Sequence, residues 1–294
     1  KDHFFYFKEK LEGERFDSIA FGLQKRTEEL ICEWVNNAIK ATKIEDIVLS
    51  GGVAQNIKAN QKILAMDNVN SLFIPPGPGD ESISIGASFL STINSFNNSN
   101  KHLTEIKFDP YCGSSYSDTE IYDYLSKLNN NYWSFKKSNN IEVATLLSKG
   151  EIIARFSNGK MEFGARALGN RSILADPSSA DVIHYLNKLV KMRDFWMPFA
   201  PSILEERVSD YLVNIKNNIS KYMAISYDSK GASFKDLPAG LHPFDKTSRA
   251  QIVCKEDNFE YHSLIKEFEK ITGIGALLNT SFNIHGESIV ESPE

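Results

Sequence analysis

The spacing of hydrophobic residues predicts a chain in which helices alternate with short strands. Apolar positions from Phe16 to Lys43 recur with the period of an amphipathic helix that has at most one break. Two short apolar runs, 47–49 and 72–74, are typical of buried strands, and each leads through a glycine-containing turn into another helix. A strand, a tight glycine turn and a helix form one arrangement that presents main-chain amides to a nucleotide.

The second half of the chain carries the same mixture of patterns. Polar, turn-rich segments at 94–102 and 109–118 interrupt the hydrophobic pattern, and we place a domain boundary near 103–112. Ser117 with Glu120 three residues later is a capping box, which predicts the start of a helix. Periodicity predicts helices at 118–128, 141–149, 181–190 and 261–271, strands at 150–159, 221–228 and 276–278, and an aromatic and proline-rich corner at 195–201.

The predicted fold is therefore α/β, with domains at residues 1–104 and 105–294. A chain of 294 residues favours two domains, because single hydrophobic cores stop growing at about 250–300 residues. The hydrophobic share of 41% and the charged share of 24% are ordinary for a globular protein.

Charge and cysteine content narrow the class of protein. The net charge of −5 gives no support for binding nucleic acid through bulk electrostatics. No apolar run reaches the roughly 18 residues that a membrane helix needs. The three cysteines are far apart, odd in number and form no CxxC pair, so we expect a cytoplasmic protein rather than a disulfide framework.

The segment 159–177, GKMEFGARALGNRSILADP, is the strongest candidate for chemistry. It holds three cations, Lys160, Arg166 and Arg171, together with Glu162 and regularly spaced glycines. Because glycines let main-chain amides approach a ligand and fixed cations hold an anion, the segment predicts a site for a phosphate or adenylate group. Glu162 is expected to orient one of the cations. For any single residue a solvated turn is an equal alternative, but for the whole cluster a binding site is favoured.

Two other segments offer polar side chains that could line the same site. Polar residues alternate along 242–251, so Arg249 either faces solvent on an edge strand or forms a second wall around the anion. Polar residues also follow the apolar strand at 276–278, where they either form local Asx or ST turns or bind a ribose or a carbonyl group. These residues are Asn279, Thr280, Ser281 and Asn283.

Asp80, which follows the loop IPPGPG at 74–79, has two interpretations. As a helix N-cap it would accept a hydrogen bond from the first turn, and the residues alone favour this interpretation. As a metal ligand or metal–phosphate contact it would need partners, since such sites use several oxygen or nitrogen ligands. The histidines are scattered and form no HxxxH or HExxH pair.

Taken together, the motifs of the chain resemble a known family, the O-carbamoyltransferases of nodulation-factor and antibiotic biosynthesis. The C-terminal domain of that family is resembled by GKMEFGARALGNRSILADP, WMPFAPSI (196–203), HPFDKTSRAQ (242–251) and LLNTSFNIHGESIVESPE (277–294). The end of its N-terminal domain is resembled by LSGGVAQN (49–56) and IPPGPGDESISIGA (74–87). The resemblance covers nearly the whole chain, with the motifs in the same order.

The resemblance implies a fold and a reaction. Residues 1–104 would be the C-terminal part of an actin/hexokinase-like (ASKHA) domain. Residues 105–294 would be a twisted α/β sheet domain like threonylcarbamoyl-adenylate synthase (YrdC-like). The implied substrates are carbamoyl phosphate and ATP with Mg²⁺, which form carbamoyl-adenylate and pyrophosphate in the second domain. The first domain would then move the carbamoyl group to an acceptor hydroxyl, with nucleotide and an Fe²⁺-type divalent metal bound there.

The resemblance also implies roles for single residues. Lys160, Arg166 and Arg171 would be the catalytic cations that hold the carbamoyl-phosphate and adenylate oxygens, and Asp80 would be a metal ligand. Further residues would contact substrate or nucleotide: Gly51, Gly52, Asn56, Gly79, Glu162, Arg249, Asn279, Thr280, Ser281 and Asn283.

The sequence departs from the family pattern at three points. Ala165 stands where the family commonly has proline, and Met197 stands where many members have arginine. The two histidines at HxxxH spacing that the family uses for its metal are absent. We therefore expect a C-terminal portion of a longer protein, which binds carbamoyl phosphate and ATP weakly and does not carbamoylate an acceptor.

Three rival functions stay open at this point. One is a nucleotide- or tRNA-binding module related to threonylcarbamoyladenosine biosynthesis, against which the net charge argues. Another is a fragment of an actin/hexokinase-like ATPase or sugar kinase, which would need a phosphate-binding hairpin that this chain lacks. A third is a protein without catalysis that binds a partner. The acceptor and the oligomeric state, including a homodimer, are not readable from the residues.

Overall fold

A computed structural model describes the chain over most of its length and shows an α/β fold with two sheets, as predicted. The described residues are 2–98, 108–128, 134–157, 159–192, 194, 197–213, 215–216 and 220–294. The predicted domain boundary lies largely in 99–107, outside the described residues.

The first half of the chain contains four α-helices and a small parallel sheet among its described residues. The chain order is α1 (His3–Leu11), α2 (Phe16–Thr42), β1 (Asp46–Val48), α3 (Ile57–Leu64), β2 (Ser71–Phe73) and α4 (Ser82–Asn98). The α2 helix runs for 27 residues without interruption, which confirms the predicted amphipathic helix. β1 and β2 pair in parallel, with Ile47 opposite Leu72. The α4 helix continues into the segment predicted as a polar break and ends at Asn98.

The second half is built on a mixed five-stranded sheet with the strand order β3-β4-β7-β5-β6. Only β5 and β6 are parallel, and the other neighbours are antiparallel. Its strands are β3 (Ile153–Phe156), β4 (Arg171–Ala175), β5 (Ala200–Leu204), β6 (Gln251–Val253) and β7 (Ala276–Ser281). Its helices are α5 (Asp118–Lys127), α6 (Asn140–Ser148), α7 (Asp181–Tyr185), α8 (Val208–Tyr211), α9 (Gly231–Asp236) and α10 (Phe259–Thr272), and a π-helical turn, Leu186–Lys191, follows α7.

Local signals place several helix ends where the sequence predicts them. Ser117 caps α5 and accepts from the amide of Glu120, while the Glu120 carboxylate accepts from the Ser117 amide. This is the predicted capping box. At the other end of a helix, Gly273 closes α10 in the left-handed conformation with φ of 79°.

One hydrophobic core crosses the predicted boundary between the two halves. Ile63 and Leu72 from the first half belong to the same buried cluster as Ile203, Phe268 and Leu277 from the second. Polar contacts tie the halves at the margin of this core. They include Lys58 Nζ to Thr247 Oγ at 2.7 Å, Asn60 Nδ2 to the Ala224 carbonyl at 2.8 Å and Lys216 Nζ to the Val69 carbonyl at 2.7 Å.

Three sequence-based predictions of secondary structure were wrong or incomplete. Residues 221–228 form no strand: Met223 has a φ of 55°, and a single bridge joins Tyr227 to Ser248. Met223, Ile225 and Tyr227 are buried, but Ser226 between them is buried as well, and the left-handed Met223 is incompatible with a regular strand. β4 and β5 were not predicted. Both are buried along their whole length and show no alternation, and β5 contains Pro201.

Membrane-spanning helices and disulfide bonds are two features by which the sequence narrows the class of protein. Among the described residues, no helix combines the length and the apolar character needed to cross a membrane. The cysteines Cys32, Cys112 and Cys254 are all free thiols.

Candidate functional site

Sheet topology gathers the candidate segments at one end of the five-stranded sheet. β7 runs antiparallel to β4 and β5, so its last residues lie beside the first residues of those two strands. β6 runs parallel to β5 and therefore begins at the same end, where the antiparallel β3 finishes. The segments that meet there are 159–170, 197–199, 249–250 and 279–283, the last of which begins inside β7.

A pocket of about 70 Å³, partly open to solvent, lies at this end of the sheet; we call it the arginine pocket. It brings together five of the residues predicted for the site: Arg166, Arg249, Asn279, Thr280 and Ser281. The remaining wall is formed by Ala165, Ala167, Pro198, Phe199, Ala200 and Met223, most of them apolar. Two cations and three polar side chains thus converge on one space between apolar residues, an arrangement that suits a small anionic ligand.

Arg166 is a half-buried cation of this pocket. Burial lowers its pKa, and no carboxylate among the described residues opposes that shift. A guanidinium stays protonated even so. A partly desolvated cation without a counter-charge stabilises an anion more strongly than an exposed one does.

A buried amide network fixes the loop that carries this arginine. Asn279, which is 2% exposed, donates from Nδ2 to the Ala167 carbonyl at 3.1 Å and to Ser202 Oγ and Gln251 Oε1 at 3.0 Å. Gln251 Nε2 donates to the Leu168 carbonyl at 2.9 Å. The two carbonyls that follow Arg166, those of Ala167 and Leu168, thus accept hydrogen bonds from side chains of the sheet. Asn279 therefore positions the pocket as well as lining it.

Glu162 organises the backbone of the same loop. It is 5% exposed, and its Oε1 accepts from the amides of Leu168 at 2.6 Å and of Asn170 and Arg171 at 3.2 Å. A carboxylate that accepts several main-chain hydrogen bonds fixes a turn firmly. The Glu162 charge also opposes the lowering of the Arg171 pKa that burial causes.

Arg171 occupies a structural position at the start of β4. Its side chain is 0% exposed, and Nη1 donates to the carbonyls of Ser157 at 2.9 Å and Asn170 at 3.1 Å. The guanidinium also lies over the Phe156 ring. These contacts engage Nη1, whereas the buried Nε has no hydrogen-bond partner among the described residues, and Arg171 does not line the arginine pocket.

Lys160 and Asn283 also lie outside the pocket. Lys160 is exposed, and its carbonyl accepts from Asn170 Nδ2 at 2.7 Å. Asn283 is held by Lys191, whose ammonium donates to Asn283 Oδ1 and to the Ser281 carbonyl, both at 2.6 Å.

Lys191 is a residue that the sequence reasoning missed. It is 5% exposed at the end of the π-helical turn. Its ammonium donates to the carbonyls of Ser281 at the end of β7 and of Asn283 just after it. Because Ser281 lines the arginine pocket, this buried ammonium sets one of its walls. The only local sequence signal is that this lysine stands between two apolar residues, Val190 and Met192.

Gly169 is required by packing rather than by a ligand. It has a φ of 116°, which L side chains rarely adopt, and a Cβ there would lie 2.3 Å from a ring carbon of Tyr261. The position therefore brings the loop against α10.

The candidate residues of the first half meet at a second place, which we call the glycine-loop cluster (residues 50–52 and 75–82). The Pro78 carbonyl accepts from the Gly51 amide and from Ser50 Oγ at 3.2 Å, and Ser50 Oγ lies 2.7 Å from Ser82 Oγ. Gly52 is exposed beside it. Gly79 is buried, and its amide donates to Glu81 Oε1 at 3.3 Å.

Asn56, assigned to nucleotide by the resemblance, has local partners here. Its Oδ1 caps α3 by accepting from the Ala59 amide at 3.1 Å. It also exchanges hydrogen bonds with Gln24 of α2, at 3.1 Å and 2.9 Å. The side chain therefore joins two helices.

Asp80 is exposed at the start of α4. Among the described residues, no group of three or more histidine, cysteine, aspartate or glutamate side chains could hold a metal ion. Asp80 lacks co-ligands in this part of the chain, so these residues do not by themselves fit the implied divalent metal, and no chemical step is derived through one.

Comparison with protein families matches both halves of the chain. The model described as "Carbamoyltransferase C-terminus" matches residues 144–294, which include the arginine pocket. The model described as "Carbamoyltransferase N-terminus" matches residues 2–89, which include the glycine-loop cluster.

Relatives among the curated proteins are longer than this chain. The Methanocaldococcus jannaschii protein MJ1058 is 36% identical over 98% of this chain and 46% of its own length. Nodulation protein NolO of Bradyrhizobium diazoefficiens is 31% identical over 93% of this chain and 50% of its own. Nodulation protein U of Rhizobium fredii is 29% identical over 84% and 39%. The chain thus spans about half the length of these relatives, and it belongs to the carbamoyltransferase family.

Proposed function

We propose that this chain forms the carbamoyl-activating part of an O-carbamoyltransferase. The observation that carries the proposal is Arg166, a partly buried guanidinium with no compensating carboxylate among the described residues, in a pocket within the matched C-terminal region. Such a cation fits a phosphate or adenylate oxygen.

The proposed substrates are carbamoyl phosphate and ATP with Mg²⁺. In the balanced reaction, water releases inorganic phosphate from carbamoyl phosphate, and the carbamate oxygen then attacks the α-phosphorus of ATP and displaces pyrophosphate. The product is carbamoyl-adenylate. Adenylyl transfer depends mainly on positioning and charge stabilisation, so Arg166 and Arg249 would hold the phosphate oxygens, and the end of β7 would orient the ligand's polar groups.

In this proposal the other candidate residues of the second half have either a structural role or a role in binding the ligand. Glu162 and Arg171 fix the loop, because Glu162 Oε1 and Arg171 Nη1 are engaged by the main chain. Lys160 is exposed at the loop's start, where a mobile ammonium could reach a bound phosphate.

We further propose the two finer fold assignments. Residues 105–294 would be a YrdC-like domain, and residues 1–104 the last part of an actin/hexokinase-like domain that binds nucleotide at the glycine-loop cluster. Transfer to a hydroxyl-bearing acceptor, with an Fe²⁺-type metal, would belong to the longer protein, because the described residues supply Asp80 without co-ligands.

Calorimetric titration with carbamoyl phosphate, ATP and both together tests binding, and pyrophosphate release in the presence of Mg²⁺ tests the chemistry. Arg166→Ala should weaken binding of carbamoyl phosphate by about 10–100-fold and lower the pyrophosphate release accordingly. The matched control is Arg26→Ala on α2, where the side chain is 63% exposed. Binding without pyrophosphate would refute adenylate formation by this chain, and equal binding by the Arg166→Ala variant would refute the assigned pocket.

A further inference from the structure

The loop that carries Arg166 packs directly on the glycine-loop cluster, with no side chain between the two backbones. Gly164 has a φ of 110°, and a Cβ at this position would lie 2.5 Å from the Pro76 carbonyl oxygen and 2.8 Å from its carbon. Real side chains do not tolerate such distances, and the neighbouring atoms are main chain rather than a flexible side-chain end. A substitution at Gly164 must therefore displace one of the two loops.

Aromatic packing extends this contact on both sides. A Cβ on Gly77 would lie 3.2 Å from the Phe163 ring, so that ring covers Gly77 closely. The Phe163 ring meets Phe108 edge to face with centroids 6.1 Å apart, and Phe108 meets Phe89 of α4 at 6.4 Å. This seam, formed by Gly164, Phe163 and Phe108 against Pro76, Gly77 and Phe89, thus joins the loop that carries Arg166 to α4.

Both ends of this seam lead to candidate binding groups within two residues. Arg166 follows Gly164 by two positions. Pro78 follows Pro76 by two positions, and its carbonyl holds the Gly51 amide. The intervening loop is stiff, because Pro75, Pro76 and Pro78 each fix φ. A shift of the arginine loop would therefore be passed to the Gly51–Pro78 hydrogen bond rather than absorbed.

We propose that Gly164 is a positioning residue that couples occupancy of the arginine pocket to the conformation of the glycine-loop cluster. The inference rests on the proposed function, since carbamoyl phosphate is the ligand assumed for the pocket. Coupling between binding sites is reciprocal. If carbamoyl phosphate in the arginine pocket changes the affinity of the glycine-loop cluster for nucleotide by some factor, bound nucleotide changes the affinity of the pocket for carbamoyl phosphate by that same factor.

Residue-resolved amide hydrogen exchange tests this coupling, with Gly51 as the reporter because its amide donates to Pro78. In the wild-type chain, saturating carbamoyl phosphate should change the Gly51 exchange rate about fivefold or more. Gly164→Ala should still bind carbamoyl phosphate but lose that response. The matched control is Gly150→Ala, where φ is 87° but no atom lies within 4 Å of the added Cβ. It should keep the response.

A second variant guards against misfolding of Gly164→Ala. Phe163→Leu leaves the backbone unstrained while loosening the cover over Gly77, and it should weaken the Gly51 response. A wild-type chain that binds carbamoyl phosphate without a change at Gly51 would overturn the inference and leave the proposed function intact. An unchanged response in both variants would overturn it as well. A wild-type chain that does not bind carbamoyl phosphate would overturn the proposed function, and the inference with it.

Discussion

The guanidinium carbon of Arg171 lies 3.8 Å from the centre of the Phe156 ring, its partner in the β3–β4 register. Together with its hydrogen bonds to main-chain carbonyls, this contact makes Arg171 a structural link between β3 and β4. Arg171→Lys should destabilise the fold by about 2–4 kcal/mol, because an ammonium cannot satisfy several carbonyls and stack on the ring at once. Urea unfolding measures this loss. A change below about 0.5 kcal/mol, as expected for an ordinary surface site, would contradict it.

The arginine pocket predicts the opposite behaviour for Arg166. Arg166→Ala should weaken binding of carbamoyl phosphate by about 10–100-fold, the loss of one charge-assisted contact. Stability should be kept or slightly raised, since an uncompensated, desolvated charge is removed. Calorimetric titration and urea unfolding on the same preparation check both parts. Loss of stability with unchanged affinity would assign Arg166 to the same structural class as Arg171.

These two arginines show how far the sequence alone reaches into the site. Both stand in one motif, and residue type makes them equivalent candidates. What separates them is that β4 begins at Arg171 and carries its side chain into the interior, whereas Arg166 precedes the strand. The start of β4 was not predicted, because a strand buried on both faces shows no alternation of polar and apolar residues.

The fold was predictable where the signal is local. The length of α2 follows from its apolar period, and the start of α5 follows from the capping box at Ser117. The path of β5 was not predictable, because Pro201 lies within a strand flanked by neighbours on both sides, where proline is rarely found. The joining of Arg166, Arg249 and β7 into one pocket depends on strand order, which no local pattern encodes.

Glu162 yields a prediction about the loop rather than about the ligand. Glu162→Gln keeps one carbonyl oxygen but loses the charge that holds three main-chain amides. We expect a loss of about 1–3 kcal/mol, the range for hydrogen bonds to a charged group. Glu162→Ala should lose more, because the amides would be left buried without an acceptor. Thermal and urea unfolding rank the two variants, and the reverse order would contradict this role.

The ion pair between Lys58 and Asp245 predicts a pH dependence of stability. Burial by itself would raise the pKa of Asp245, but hydrogen bonds from Lys58 and Thr247 outweigh it and lower the pKa from 3.8 to about 2. Since the folded-state pKa lies below the unfolded value, this carboxylate stabilises the fold above about pH 4 and loses that effect as the pH falls through about 2.

Asp245→Asn should remove this component of the acid sensitivity. Because the Asp245 side chain is 44% exposed, solvent screening reduces the expected contribution to about 1 kcal/mol or less. Free energies of unfolding at pH values between about 4 and 2 should fall less steeply for the variant than for the wild type. Identical slopes would show that the pair contributes nothing to folding.

The hydrophobic core that runs through both halves constrains which amino-acid substitutions the chain can accept during evolution. Ile63 and Leu72 lie in the region matched to one family model, Ile203 and Leu277 in the region matched to the other, and all four share one packed interior. A methyl group gained on one side must be matched by space on the other. The two regions are therefore inherited as a fitted pair, and a hybrid that joins regions from two relatives would carry mismatched packing at its centre.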